Sequence, residues 1–313
     1  MEHPIILKPM RIGEIFDLNF QILRNNFKNL INLNFIVFLP CFIIFCLAGV
    51  VLLLIYLANP MMFSSLQGQS PSFSLVGFFI VGFLAILGLI FIVSVSILFN
   101  TYGIYQIFDG AIHGQIIKWK ESLKGSLVGV LFFFVAGTLV GLATFVLTFP
   151  LRIISQFLPI FILPYLLVFY ATQIFIFITY PLIALTKTDP IRGIWQSCCL
   201  VWKNFGRALC FFLLYLLISI CATFVIAIVI IVPTMIWYYI SGQYMLRHGF
   251  DPMIFANPWL IIGALLIVAF IIFVGFILFN FYYGLQVLLM YDLKMRSEGY
   301  GILPTENAQT GQV

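Results

Sequence analysis

Residues 127–151 read LVGVLFFFVAGTLVGLATFVLTFPL, a run without one charged side chain. A helix rising 1.5 Å per residue needs about 20 apolar residues to cross a hydrocarbon core, so this run alone is long enough. Lys118, Lys120 and Lys124 stand on one side of it and Arg152 on the other. Five further stretches have the same character, at about 31–57, 75–99, 158–185, 208–240 and 258–290. Together they predict an all-α membrane protein with six transmembrane helices. Composition agrees: of 313 residues, 63% are hydrophobic and only 8% charged, where a soluble domain carries about 25% charged residues to hydrate its surface. Pro40, Pro164, Pro181 and Pro233 fall inside apolar stretches and are expected to free backbone carbonyls there.

The basic residues set the orientation. Thirteen of the fifteen Lys and Arg side chains lie at the N-terminus, in the second-to-third and fourth-to-fifth connections, and after the last span. The opposite connections hold only Arg152 and Arg247. Positive loops stay in the cytoplasm, so both termini are expected there. Tyr56, Trp237, Tyr238, Tyr239 and Trp259 then fall at outer ends, and Trp119, Trp195, Trp202 and Tyr291 at inner ones, as an interfacial aromatic belt requires. The net charge of +5 is distributed over short clusters between apolar blocks. No basic stripe is present, so nucleic acid is not an expected partner.

The six spans read as three hairpins, each preceded by a cytoplasmic amphipathic interfacial helix. In the first such segment Ile12, Phe16, Phe20, Leu23, Phe27 and Leu30 make an apolar stripe opposite Glu14, Asp17, Gln21, Arg24 and Lys28. This mixture is also unlike a cleavable signal. In the second, Ile112, Ile116, Trp119 and Leu123 oppose Lys120 and Lys124. The third opens with Asp189 as N-cap and Pro190 in the first turn. Its apolar side is Ile191, Ile194, Trp195, Cys198, Trp202 and Phe205; Arg192, Gln196, Lys203 and Arg207 oppose them. ILRNNFKNLI in the first segment parallels LVWKNFGRAL in the third, and FNTYGIYQIFD (99–109) parallels FNFYYGLQVLLMYD (279–292). The predicted organisation is one six-span domain over 1–293, built of recurring units near 10–108, 109–186 and 187–293, with a cytoplasmic tail at 294–313. The repeats run in the same direction, unlike the inverted repeats of many secondary transporters.

The opening KPMRIGEIFDLNFQILRNNFKNLI, the central TYPLIALTKTDPIRGIWQSCCLVWKNFGRAL and the closing LLMYDLKMRSEGY resemble the glycerophosphodiester phosphodiesterase membrane-domain family and its bacterial relatives. The resemblance implies a six-helix bundle with interfacial helices in a bacterial inner membrane, with no established activity of its own. The phosphodiesterase activity belongs to a soluble domain joined to some members, for which this chain has no room, and is not carried over.

Residues that could do chemistry are sparse. No charged side chain is predicted deep in a span; Arg152, after Pro150, can snorkel to headgroups. Asp109 and Asp292 occupy equivalent inner ends of spans two and six, but no GxGD stretch accompanies them, and repeat symmetry plus hydration accounts for the pair without an aspartyl-protease role. Asp292–Arg296 and Lys294–Glu298 are i,i+4 pairs. Cys41, Cys46, Cys198, Cys199, Cys210 and Cys221 show no metal-ligand spacing and read as small packing residues. His113 and His248 fall on opposite sides, and neither HExxH nor a phosphate-binding glycine loop is present, so no cofactor is expected. Gly125, Gly129, Gly137 and Gly141 repeat at multiples of four along span three and predict a packing seam.

Two candidate sites remain. Asn100, Tyr102, Gln106, Asn280, Tyr282 and Gln286 form a candidate polar vestibule; the plainer reading is interhelical hydrogen bonding, worth roughly 0.6 kcal/mol apiece. Arg24, Lys28, Lys120, Lys124, Arg192, Lys203 and Arg207 are candidate lipid-headgroup contacts. The expected function is a non-catalytic membrane module that binds lipids or another membrane protein. The alternative is a transporter of a neutral or amphipathic solute, and an intramembrane enzyme is the third reading.

Overall fold

The computed structural model describes residues 9–58, 73–248 and 258–298. Expectations for 1–8, 59–72, 249–257 and 299–313 lie outside the described residues, as do the side chains of Tyr56, Trp237, Tyr238, Tyr239, Arg247, Trp259 and Glu298. The described chain is helical: α1 (Ile12–Ala58), α2 (Phe73–Ile112), a single turn α3 (Trp119–Ser122), α4 (Ser126–Phe157), a 3-10 turn at Pro159–Phe161, α5 (Ile162–Thr186), α6 (Pro190–Lys203), α7 (Phe205–His248) and α8 (Pro258–Glu298). Six of these are long and apolar enough to cross a membrane: α1, α2, α4, α5, α7 and α8.

Helix length exceeds what a bilayer needs. α1 has 47 residues and α7 has 44, roughly 70 Å and 66 Å at 1.5 Å per residue, against about 30 Å of hydrocarbon. The amphipathic segment at 12–30 therefore continues into the apolar run as one helix. Its counterpart near 112–124 is reduced to α3 and irregular chain, whereas the one at 190–203 is a helix of its own. Helices also persist through Pro40, Pro150 and Pro181.

Burial along α1 runs on a different stripe from the one its apolar residues suggest. Ile15, Asn19, Ile22, Asn26, Leu30 and Leu33 are buried, while Phe20 and Phe27 are exposed. In water the phenylalanines would turn inward. Against hydrocarbon they lose nothing by facing out, and the asparagines can be covered because their amides bond: Asn26 Nδ2 donates to the Ile22 carbonyl at 3.2 Å. The same i to i−4 bond recurs from Asn204 to the Leu200 carbonyl at 3.4 Å.

α4 carries this inversion furthest. Leu127, Leu131, Phe134, Leu142, Phe145 and Val146 are all more than half exposed. Leaving such side chains in water forfeits about 1.5–3 kcal/mol each, and an apolar surface of this extent needs an apolar solvent.

Among the described residues the contacts group into two compact units, one within Gln21–Ser197, the other joining the residues up to Phe20 with those from Cys198 onward. In the first, α2 is the central helix. Leu33 of α1 fills the space above Gly103, where a Cβ would lie 2.8 Å from its Cδ2. Tyr102 lies on Gly129 of α4, and the Tyr180 hydroxyl of α5 on Gly137. Phe133, fully buried, sits with its ring centroid 6.0 Å from Tyr102, 6.1 Å from Tyr105 and 5.1 Å from Tyr180. In the second unit Phe16 stacks on Phe211 at 5.6 Å, and Phe20 meets Phe281 at 4.9 Å.

The four spaced glycines thus divide. Gly129 and Gly137 are close-approach positions, and Gly125 caps α4 with φ +74°. A Cβ on Gly141 meets nothing within 4 Å. Gly141→Ala should therefore be neutral or stabilise by up to about 1 kcal/mol through helix propensity, whereas Gly125→Ala should destabilise by about 1 kcal/mol because it strains a left-handed residue. Thermal unfolding of the detergent-solubilised variants checks both signs.

Between α5 and α6 the chain turns on Lys187, in the left-handed region at φ 52°. Pro190 opens α6, and the Asp189 carbonyl accepts from the Gly193 amide at 2.8 Å, the positions a helix start assigns to those residues. Gly193 lets α6 close on α5: a Cβ there would be 2.5 Å from Ile183 Cγ1.

Candidate functional site

The most highly charged contact in the described chain is assembled from residues distant in sequence. Asp292, in the last turns of α8, has no exposed surface. Its Oδ1 accepts from the Met10 amide at 3.0 Å and from Arg296 Nε at 3.2 Å. Its Oδ2 accepts from Arg207 Nε at 2.5 Å and again from Arg296 Nε at 3.2 Å. Both guanidiniums then turn the adjacent Nη2 to the Met10 carbonyl, at 3.0 Å for Arg296. One carboxylate and one peptide group are thus clasped by two cations, a local excess of one positive charge.

One of the partners has a local reason for its place. Arg296 lies one turn beyond Asp292 on the same helix face, and a cation in a last turn suits the helix dipole. Arg207 is the third residue of α7 and reaches Asp292 across 85 positions of sequence. Three N–H groups, that of Arg296 shared between both oxygens, hold a carboxylate with no exposed surface, and this geometry suits a clamp. Asp109 is placed differently: 27% exposed, with His113 Nδ1 3.4 Å from its carboxylate. The two aspartates that match in sequence have different surroundings: Asp292 is not hydrated as expected, because two guanidiniums and a backbone amide take the place of water.

The vestibule residues fall three to each unit. In the first, each is engaged with a different helix. Asn100 Nδ2 donates to Asn34 Oδ1 of α1 at 2.5 Å, Tyr102 lies on α4, and Gln106 Nε2 donates to the Ala184 carbonyl of α5 at 3.1 Å. These three residues point outward from α2 to separate neighbours. Asn280 and Gln286 are buried in the second unit, and Tyr282 meets the Tyr215 ring edge-on at 4.9 Å. Several buried atoms have no hydrogen-bond partner among the described residues: Asn34 Nδ2, Asn100 Oδ1, Thr101 Oγ1, Asn19 Oδ1, Asn280 Oδ1 and the Tyr282 hydroxyl. Asn19 and Thr101 were not legible as site residues, because nothing in their spacing separates them from helix packing. Asn19 is fixed by donating to the Phe281 carbonyl at 3.0 Å.

Of the seven cations predicted to meet headgroups, Arg24, Lys28, Lys120, Lys124, Arg192 and Lys203 are exposed. Arg207 differs, because its Nε–Nη2 edge is committed to Asp292 and Met10. Around α6 the exposed basic residues adjoin exposed aromatic ones. Trp195 and Trp202 are 71% and 76% exposed, with Ile191 at 75%. At 3.6 residues per turn these three fall within about 40° of one another, while the inward face is Gly193, Ser197, Leu200 and Val201. Ser197 Oγ lies 2.7 Å from Thr179 Oγ1 of α5. On the turn before α4, Lys120 Nζ lies 5.4 Å from the Trp119 ring.

No protein-family model, curated protein or solved structure matches this chain. Its site therefore has to be read from its own side chains. Among the described residues no three His, Cys, Asp or Glu side chains converge as metal ligands. Cys41 Sγ lies 3.2 Å from Ser96 Oγ, on the same α1–α2 seam as Asn34 and Asn100.

Proposed function

We propose that the chain is a non-catalytic, multi-pass module of a bacterial inner membrane, with cytoplasmic termini, that binds anionic lipid through its basic rim. Its spans form three hairpins, each introduced by an amphipathic segment at the cytoplasmic interface, as the resemblance to the phosphodiesterase-linked membrane domains implies. The observation that carries the reading is the outward face of α6, where Ile191, Trp195 and Trp202 stand exposed beside exposed Arg192 and Lys203. An indole prefers the headgroup layer, and a neighbouring cation attracts acidic lipid.

Two measurements test it. Lipid retained through detergent extraction should be enriched in acidic phospholipid about tenfold over its share of the source membrane; retention in proportion to the bulk would contradict the reading. In single-tryptophan variants, brominated phospholipid should quench Trp195 and Trp202 strongly, since bromine quenches only at contact. Unquenched, water-like emission from both would place α6 outside the lipid.

A transporter of a neutral or amphipathic solute is the second reading, favoured by the unpartnered Asn34 Nδ2 and Asn100 Oδ1 between spans. It requires flux in proteoliposomes that Asn100→Leu abolishes. Solute-independent leak, or flux untouched by the substitution, removes it.

A further inference from the structure

We infer that Arg207 and Arg296 together form a seat for one phosphate group, carried by a membrane phospholipid, on the guanidinium edges that point away from Asp292. This rests on the lipid-binding reading and narrows it from a diffuse basic rim to one built site.

The clasp uses the same edge of each arginine. Nε goes to the carboxylate and Nη2 to the Met10 carbonyl in both. A guanidinium has five N–H groups in a fixed plane, so each arginine keeps Nη1 and the outer hydrogen of Nη2 without a partner among the described residues. That leaves an end-on fork on each of two cations held by the same two acceptors. The Asp292 carboxylate neutralises only one of the two charges, and the site retains +1.

Burial selects the ligand's direction of approach. Asp292 is fully buried, while Arg207 and Arg296 keep 22% and 30% of their side-chain surface. The carboxylate is thus closed to an incoming anion, and the exposed part of the site belongs to the two arginines. Phosphate matches the fork geometry, with oxygens spaced for bidentate bonding. A phosphodiester brings one negative charge, which balances the site. The forks lie at the C-terminal end of the apolar helix α8, among residues that continue a spanning segment, which favours a phosphate tethered to acyl chains.

The decisive experiment uses the wild-type protein, delipidated in maltoside micelles, which contain no phosphate. Phenylglyoxal modification is followed at Arg207 and Arg296 by peptide mass spectrometry, with exposed Arg24 as reference. Phosphatidylglycerol should slow modification of both about tenfold and that of Arg24 less than about twofold. Diacylglycerol with the same chains should give no protection, and inorganic phosphate should protect only at much higher concentration. Equal protection by inorganic phosphate keeps the phosphate seat and removes the tether. Protection by diacylglycerol, uniform protection of Arg24, or no protection at all overturns the site. If acidic lipid is still enriched when protection is absent, the proposed function stands and the seat alone falls. Arg296→Gln should also remove lipid protection at Arg207; should that variant fail to fold, the wild-type modification rates still decide.

Discussion

Asp292→Asn is expected to destabilise the protein by about 3–5 kcal/mol, the usual cost of leaving a buried charge without its partner. The carboxylate is wholly buried and receives both guanidiniums and the Met10 amide. Asparagine keeps the volume but supplies one acceptor oxygen where two were in use, and it leaves two cations facing each other with no counter-charge. Arg207→Gln should cost less, because Arg296 still serves the carboxylate and the buried site becomes neutral as a pair. Unfolding in detergent, followed by the loss of the monodisperse species on heating, orders the variants. Equal stability of Asp292→Asn and wild type would show that the clasp is not closed in the folded protein.

Gly129→Leu should rank second, at about 1–3 kcal/mol, the range for forced overpacking. A Cβ at 129 would lie 2.6 Å from Tyr102 Cδ2 and closer still to Cε2. The ring cannot swing away, since Tyr102 is itself buried and Phe133 stands beside it. The prediction has an internal test. Tyr102→Ala should be destabilising alone but should recover at least half of the Gly129→Leu loss in the double variant, because the two residues share one space. Additive losses would mean that the helices meet elsewhere.

These two sites mark the boundary of what the sequence makes legible. The spans are readable because hydrocarbon thickness imposes a length on uncharged runs, and residues 127–151 stand out by that criterion alone. The exposed cations are readable because charge cannot enter the apolar layer. The i,i+4 pair of Asp292 and Arg296 is readable because it is local. Arg207 is not, since its partner lies 85 residues away and its own segment assigns it to a solvated face. The glycine seam was half readable: spacing marks four positions, but only facing tyrosines distinguish Gly129 and Gly137 from Gly141. The inward face of α1 was hidden for a deeper reason. Apolar periodicity points to the core only when the solvent is water, and here Phe20 and Phe27 are exposed while Asn19 and Asn26 are buried.

The central claim is that the long apolar helices cross a bilayer with the basic clusters on one rim. Single cysteines at 120, 192 and 152, in a background lacking the native six, can be labelled in sealed vesicles of one orientation with a membrane-impermeant maleimide. The account predicts that 120 and 192 react from the same side and 152 only from the other. Labelling of 120 and 192 from opposite sides would contradict it.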